Sequence, residues 1–328
     1  MKNINKIIIV LIISLSILLL SSCSQVIEKK GSIYAMKTYI DITLYSNSKE
    51  KNNNAYNEIE KIYKDIHKLA DNKNEYPGLN NTYVINNTNE KVVVNDYLFE
   101  LLSLSNKMLI DTNGYYNHFM GNLIDIYKDI IKTKDDSILS NKLIDEELKI
   151  INQTKLVLNK ETKEVQLIGE GKLDLGAIAK GYATKLAREY LINNGFKYFL
   201  INAGNSSISL GEKVNDESYK VGINSVPNFI LKQKNIDIST SSINEQKVLI
   251  DDKLYHHIIN PKNGKNENYY DVVTILGEDS GHLDALSTAI FNINISLEEE
   301  LDVIKHLEIV FDINIYIFKD GKKLYSTI

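Results

Sequence analysis

Lys172-Leu-Asp-Leu-Gly-Ala-Ile-Ala-Lys-Gly-Tyr-Ala183 is the stretch whose reading decides the fold. Just before it, Val165-Gln-Leu-Ile168 has the composition of a short strand. After it, Ala179, Tyr182, Ala183, Leu186, Ala187, Tyr190 and Leu191 recur at helical spacing, until Gly195 supplies a left-handed end cap. A second apolar strand, Tyr198-Phe-Leu-Ile201, then leads into Asn202-Ala-Gly-Asn-Ser206. The order is therefore strand, tight glycine turn, helix, strand, glycine turn. Gly176 and Gly181 remove side-chain bulk at the entrance to the helix. Its first turn offers unpaired N–H groups and Lys180, which suits an anionic group such as a phosphate. Asp174 beside that anion site makes sense where a metal or a ligand N–H group is also held. The same pattern also serves close helix–strand packing, so by itself it leaves both readings open.

The remaining composition narrows the class. With 328 residues, 43% hydrophobic and 25% charged, the chain has material for one large domain or two closely packed lobes. A net charge of −5, with no basic block, argues against a nucleic-acid binder. At the N-terminus, Lys2 and Lys6 precede an apolar run from Ile7 to Leu20, which ends in Leu20-Ser-Ser-Cys23. That pattern predicts a signal peptide over residues 1–22. Cys23 is the only cysteine, so no intrachain disulfide is possible. The Leu-Ser-Ser-Cys ending resembles a bacterial lipobox. The resemblance implies a lipid on Cys23, a tether over 23–32, and a folded part at 33–328 on the extracytoplasmic face of the cell membrane. An uncleaved anchor helix would place the folded part on the same side.

Along the chain, Ile40, Ile42 and Leu44 alternate with polar residues as a half-buried strand. Residues 54–70 carry one helical apolar stripe, from which His67 stands apart as a surface residue. Tyr76 to Asn86 reads as a loop ending in an extended piece, and Asn95 as the cap of a second amphipathic helix. Residues 128–150 have the pattern of an exposed helical connector. Leu156-Val-Leu and Val165 to Ile168 predict a hairpin, and Tyr219 to Val226 and Phe229 to Lys232 two strands. Two further groups carry chemistry. In Tyr255-His-His-Ile-Ile-Asn-Pro261, a neutral imidazole suits proton abstraction near neutral pH, although a lone histidine near a strand end is more often structural. In Asp284-Ala-Leu-Ser-Thr288, Asp284 is expected to open a helix, with Thr288 one turn on. A carboxylate and a hydroxyl so spaced share a hard cation such as magnesium, or simply begin a helix.

Asp174-Leu-Gly-Ala-Ile-Ala-Lys-Gly181 followed by Asn202-Ala-Gly204 resembles the signature of the ApbE family, the FAD:protein FMN transferases. Other segments match in the family's order, from Met36 to the last strands near Tyr325. Met36 and Thr38 fit Met-Gly-Thr, with Lys37 in place of the glycine. Tyr76 fits an aromatic that stacks on the flavin, with Asn80 replacing a serine. Tyr115, Tyr116 and Asn117 fall where the family holds the adenine side of FAD, Asn117 replacing an aspartate. Ile238 to Ile243 carries Ser242 where a glycine is usual. His257 and Ile258 fit the family's histidine motif, with Asn260 and Asn263 replacing Asp and Thr. Asp284 to Ala289 fits Asp-Ala-x-x-Thr-Ala without departure.

The resemblance implies an α+β fold of two closely packed lobes, each of mixed β-sheet and helices, with a ligand cleft between them. It implies Mg²⁺ on Asp284, Thr288 and the carbonyl of Ala177. FAD, as substrate, would meet Met36, Tyr76, Tyr115, Tyr116, Asn117, Asp174, Lys180 and Ile258. His257 and Lys180 would be catalytic, and FMN would pass from FAD to a Ser or Thr hydroxyl of an acceptor protein with release of AMP. Implied acceptors are extracytoplasmic redox proteins, either Rnf- or Nqr-type subunits or FMN-binding domains. Two alternatives stay open: an FAD pyrophosphatase yielding FMN and AMP, and a non-catalytic flavin-binding lipoprotein, for which the departures at Lys37, Asn117, Asn205, Ser242 and Asn260 speak.

Overall fold

The computed structural model describes residues 26–327 except Ser225 and Glu245. The signal-peptide and Cys23 expectations lie outside the described residues. The chain begins with a hairpin of β1 (Ile27–Ala35) and β2 (Thr38–Ser46), followed by helix α1 (Lys49–Ala70), whose cap Ser48 accepts from the Lys51 N–H. Next come the short helix α2 (Thr82–Asn86), strand β3 (Val92–Val93) and helices α3 (Asp96–Asp111), α4 (Gly121–Thr133) and α5 (Asn141–Gln153). Asn95 caps α3 as its sequence predicts, accepting from Leu98 N–H at 2.9 Å. Strands β4 (Lys155–Asn159) and β5 (Glu164–Ile168) form the expected hairpin and pair with β3 in a three-stranded sheet.

The central stretch folds as strand, turn, α6 (Ala179–Asn193), β6 (Tyr198–Ala203) and β7 (Ser207–Leu210). Gly195, at φ +69°, takes the left-handed conformation that ends α6. Two small hairpins follow, β8 (Tyr219–Gly222) with β9 (Ile230–Gln233), and, after β10 (Ile236–Ser242), β11 (Lys247–Ile250) with β12 (Lys253–His256). The chain closes through β13 (Val272–Gly277), α7 (Ser280–Phe291), α8 (Glu298–Phe311), β14 (Asn314–Lys319) and β15 (Lys322–Ser326).

The class is α+β. Eight strands form one sheet in the order β1-β2-β6-β7-β10-β13-β14-β15, every neighbouring pair antiparallel. Its middle is buried on both faces, so β13 is apolar without alternation (Val272-Val-Thr-Ile-Leu) and all of it is buried. One face, through Val273 and Ile275, joins the large helical core with Leu286 and Ile290 of α7. The other, through Val272 and Leu276, packs with Val221 and Leu231 of the β8–β9 hairpin. Burial of this kind stabilises by about 25 cal/mol per Å² of apolar surface, and it fixes the strand ends that carry the site.

Five expectations are corrected here. Strand β1 already begins at Ile27 and pairs with β2, so the tether expected over 23–32 reaches no further than Val26. Residues 82–86 are helical, because Asn81 caps them by accepting from Val84 N–H. Residues 128–150 are helical as expected, but as the end of α4 and most of α5 with 134–140 between them, and they bury Ile130 and Ile144 instead of being wholly exposed. The strand expected from Tyr219 to Val226 stops at Gly222. Asp284 lies inside α7, and the cap is Asp279, which accepts from the N–H groups of Gly281 and His282.

Candidate active site

Helices α6 and α7 cross where neither carries bulk. The Gly181 N–H donates to Asp284 Oδ2 at 2.9 Å. A Cβ on Gly181 would sit 2.5 Å from the Asp284 Cβ and collide with the Ser280 carbonyl oxygen. The glycine thus brings the carboxylate to the start of α6, where Lys180 stands. Asp284 is 6% exposed. Burial pushes its carboxyl pKa up, and the nearby Lys180 ammonium and the Gly181 N–H only partly offset that. Around it lies a cluster of hydroxyls: Ser239 Oγ is 3.4 Å from Asp284 Oδ1, and Ser241 Oγ is 2.8 Å from Ser287 Oγ and 3.3 Å from Thr288 Oγ1.

These groups open onto a cleft of about 590 Å³, a volume usual for a small-molecule site. Of the residues singled out from the sequence, Met36, Tyr115, Tyr116, Asn117, Asp174, Ala177, Lys180, His257, Ile258, Asp284 and Thr288 all line it. Tyr76 does not. Its hydroxyl donates to Asp71 at 2.9 Å, and it is Asp71 that reaches the cleft.

The two neighbouring histidines divide cleanly. His256 is fully buried, and its Nδ1 accepts from the Ile258 N–H while Nε2 faces the Glu267 carbonyl at 3.1 Å, so it holds its own turn. His257 faces the cleft, with Nδ1 3.4 Å from the carbonyl of Gln246. A carbonyl only accepts, so that contact favours the proton on Nδ1 and leaves the Nε2 lone pair for proton abstraction. Burial lowers the His257 pKa to about 4, with the Lys180 charge adding to the effect. The ring is therefore neutral at physiological pH.

Asp174 is anchored from several sides. Oδ1 accepts from the Gly176 N–H at 2.8 Å, and Oδ2 lies 3.2 Å from both Asn72 Nδ2 and Lys128 Nζ. Burial alone would raise its pKa; the Lys128 charge and these hydrogen bonds outweigh it and hold the carboxyl below the ordinary range. Asn117 Oδ1 accepts from the Phe119 N–H at 2.9 Å, which stabilises the loop locally. Asn260 holds its turn through Lys262 N–H and Asn292 O. Asn117 and Asn260, two of the positions that depart from the family pattern, thus have hydrogen-bond partners within the protein.

Sequence reasoning missed His67, Asp71, Asn72 and Lys128, all of which line the cleft. His67 sits off the apolar stripe of α1, where exposure is the default reading. Only its hydrogen bond to the Met36 N–H, 31 residues back, shows its place.

The donor set fits a hard divalent cation. Asp284 supplies a carboxylate, Thr288 a hydroxyl and Ala177 a main-chain carbonyl, all oxygen ligands. Among the described residues no three His, Cys, Asp or Glu side chains cluster as a metal site, so phosphate oxygens and water would complete the shell.

The ApbE family model matches residues 36–311. The chain belongs to the ApbE family. A protein of Klebsiella pneumoniae named FAD:protein FMN transferase is 28% identical over 220 residues, 62% of this chain and 65% of that protein. One of the same name from Chlamydia muridarum is 24% identical over 261 residues, 76% of this chain and 78% of that protein. The matched part thus spans just under two thirds of the Klebsiella relative. The ApbE fold itself extends over nearly the whole described chain. The ApbE protein of Thermotoga maritima superposes with a TM-score of 0.75 at 23% identity, covering 89% of this chain and 94% of its own. The flavinyl transferase ApbE of Pseudomonas stutzeri gives 0.76 at 18%, covering 93% and 96%.

Proposed function

We propose that this ApbE protein transfers FMN from FAD to a Ser or Thr hydroxyl of an acceptor protein, with Mg²⁺ as cofactor and AMP as the other product. The observation that carries the reading is the convergence on one cleft of a neutral histidine, a lysine at a helix start, and a buried carboxylate ringed by hydroxyls. His257 Nε2 takes the proton of the acceptor hydroxyl. That oxygen forms a bond to the FMN-side phosphorus, the bond from that phosphorus to the bridging oxygen breaks, and AMP leaves with the bridging oxygen. The Lys180 ammonium stabilises charge on the phosphate oxygens, since the N–H groups of Ala179, Gly181 and Tyr182 at the start of α6 are taken by the Leu175 carbonyl, Asp284 Oδ2 and the Ile178 carbonyl. Asp284, Thr288 and the Ala177 carbonyl would hold Mg²⁺, which supplies neutralisation of the pyrophosphate charge when bound. Met36 and Ile258 suit the flavin side, and Tyr115, Tyr116 and Asn117 the adenine side. The resemblance to the family suggests acceptors of the Rnf or Nqr type, or FMN-binding domains.

The lipobox-like Leu20-Ser-Ser-Cys23 supports a lipid-anchored position on the extracytoplasmic face of the membrane. Among the described residues no helix is long and apolar enough to cross a membrane. Acylation of Cys23, read by mass spectrometry of the N-terminal peptide, tests the anchor. For the activity, the protein is incubated with FAD, Mg²⁺ and a candidate acceptor. Flavin fluorescence on the acceptor after denaturing electrophoresis is expected; free FMN would mean a pyrophosphatase, and unaltered FAD a binding protein.

A further inference from the structure

A second, smaller hollow of about 200 Å³ lies beside the cleft. The two share Thr240 and Ser242 of β10 as a common wall, and they meet along the β6–β7 turn, where Gly204 and Ser206 face one and Asn205 the other. Their chemistry differs sharply. The cleft is lined by Lys37, Lys128, Lys180, Asp174 and Asp284, whereas among the described residues none that lines the smaller hollow is charged. Its floor is Ile208, Val221 and Ile223, and its rim carries the amides of Asn205, Asn224 and Asn244. A phosphate would find no counter-charge there. A neutral chain with hydrogen-bonding groups and small side chains would be matched on every side, which describes an extended polypeptide.

The backbone at this hollow supports the same ligand. Among the described residues β8 pairs only with β9, so its other edge keeps unpaired N–H and C=O groups. It is β8, and not β9, that lines the hollow. At its end stands Gly222, whose Cβ would meet nothing within 4 Å. The edge is thus bare at a residue that lines the hollow.

We infer that this hollow and the free edge of β8 seat the acceptor polypeptide. The acceptor segment adds as a short strand beside β8 and carries its Ser or Thr over the Thr240–Ser242 wall into the cleft. The inference rests on the flavin-transfer reading and adds to it where the protein substrate lies. It also accounts for the separation of charges: the dinucleotide occupies the charged cleft, and the peptide the neutral hollow.

Gly222→Phe tests it. Residue 222 lines the hollow and has open space and no left-handed φ, so a ring there is carried at the hollow's edge without backbone strain, and the residue lies outside the FAD and metal contacts. Gly222→Ala serves as a control that leaves the hollow open, and Asn224→Arg blocks the rim from an exposed loop. The probe is a recombinant FMN-binding domain of an Rnf-type subunit, with FAD affinity measured separately by fluorescence titration. Both blocking variants are expected to raise the KM for the domain tenfold or more, with the Kd for FAD and the behaviour of Gly222→Ala as in the wild type. An unchanged KM for the domain in both blocking variants overturns the inference and leaves flavin transfer standing. A wild type that transfers no FMN to the domain removes both together.

Discussion

The main-chain N–H of Met36 donates to Nδ1 of His67 at 3.1 Å, tying the β1–β2 turn to helix α1 at the edge of the cleft. Met36 and Lys37 occupy that two-residue turn at φ 51° and 61°. Turns of this type favour Asn-Gly because both central residues are left-handed, and for other residues the conformation costs about 1–3 kcal/mol each. His67 therefore helps hold a strained turn that puts Met36 into the cleft. His67→Ala is expected to weaken FAD binding several-fold with kcat little changed, and adding Lys37→Gly should restore part of the affinity. Fluorescence titration with FAD reads both. Unaltered binding in His67→Ala would show that the turn does not meet the flavin.

Asp284 gives a prediction with a readout besides turnover. In Asp284→Asn the amide oxygen still accepts from the Gly181 N–H, while a buried charge disappears. The melting temperature without metal should be equal to or above that of the wild type, because burial disfavours the carboxylate there. The rise in melting temperature on adding Mg²⁺ should vanish, and turnover should fall at least a hundredfold. A rise retained in the variant would mean that Asp284 is not a ligand.

The central segment from Lys172 to Ser206 was legible because its period, caps and glycines act locally. Gly195 ends α6 as its sequence predicts, and the Asp174 and Asn202 turns are closed by their own side chains. The strands of the large sheet were legible wherever a segment alternates, as from Ile40 to Leu44. What could not be read is set by distance along the chain. Lys128 joins Asp174 across 46 residues, and His67 joins Met36 across 31, and neither pairing leaves a mark in local composition. Tyr76 shows the converse: an aromatic in a fitting loop position is held by Asp71 outside the cleft. Asp284 falls on the expected helix and near its expected end, but about one turn inside it, because Asp279 and not Asp284 caps the first turn.

Acid stability follows from three histidines. Burial lowers the pKa of His118 to about 3 and those of His256 and His257 to about 4. In the unfolded chain each titrates near 6.5, so between pH 6.5 and 4 the unfolded state binds more protons than the folded one. Stability is thus fully present above about pH 6.5 and declines as the pH falls towards 4. Among the described residues neither ring nitrogen of His118 has a hydrogen-bond partner, and the ring packs on Phe119 at 4.1 Å between centroids. His118→Phe should therefore flatten the acid limb of melting temperature against pH without loss of stability at pH 8. A limb as steep as that of the wild type would remove His118 from the account. Because His257 stays neutral down to about pH 4, its protonation should not depress kcat/KM at pH 6.

The most direct measurement is the intact mass of an acceptor domain after incubation with the protein, FAD and Mg²⁺, with AMP quantified in the same sample. Flavin transfer predicts a gain of one FMN less one water on a single Ser or Thr, with one AMP released for each domain modified. The gain should be absent with His257→Ala or with a chelator. AMP and free FMN appearing while the mass of the acceptor stays the same would contradict transfer and mark the cleft as that of an FAD hydrolase.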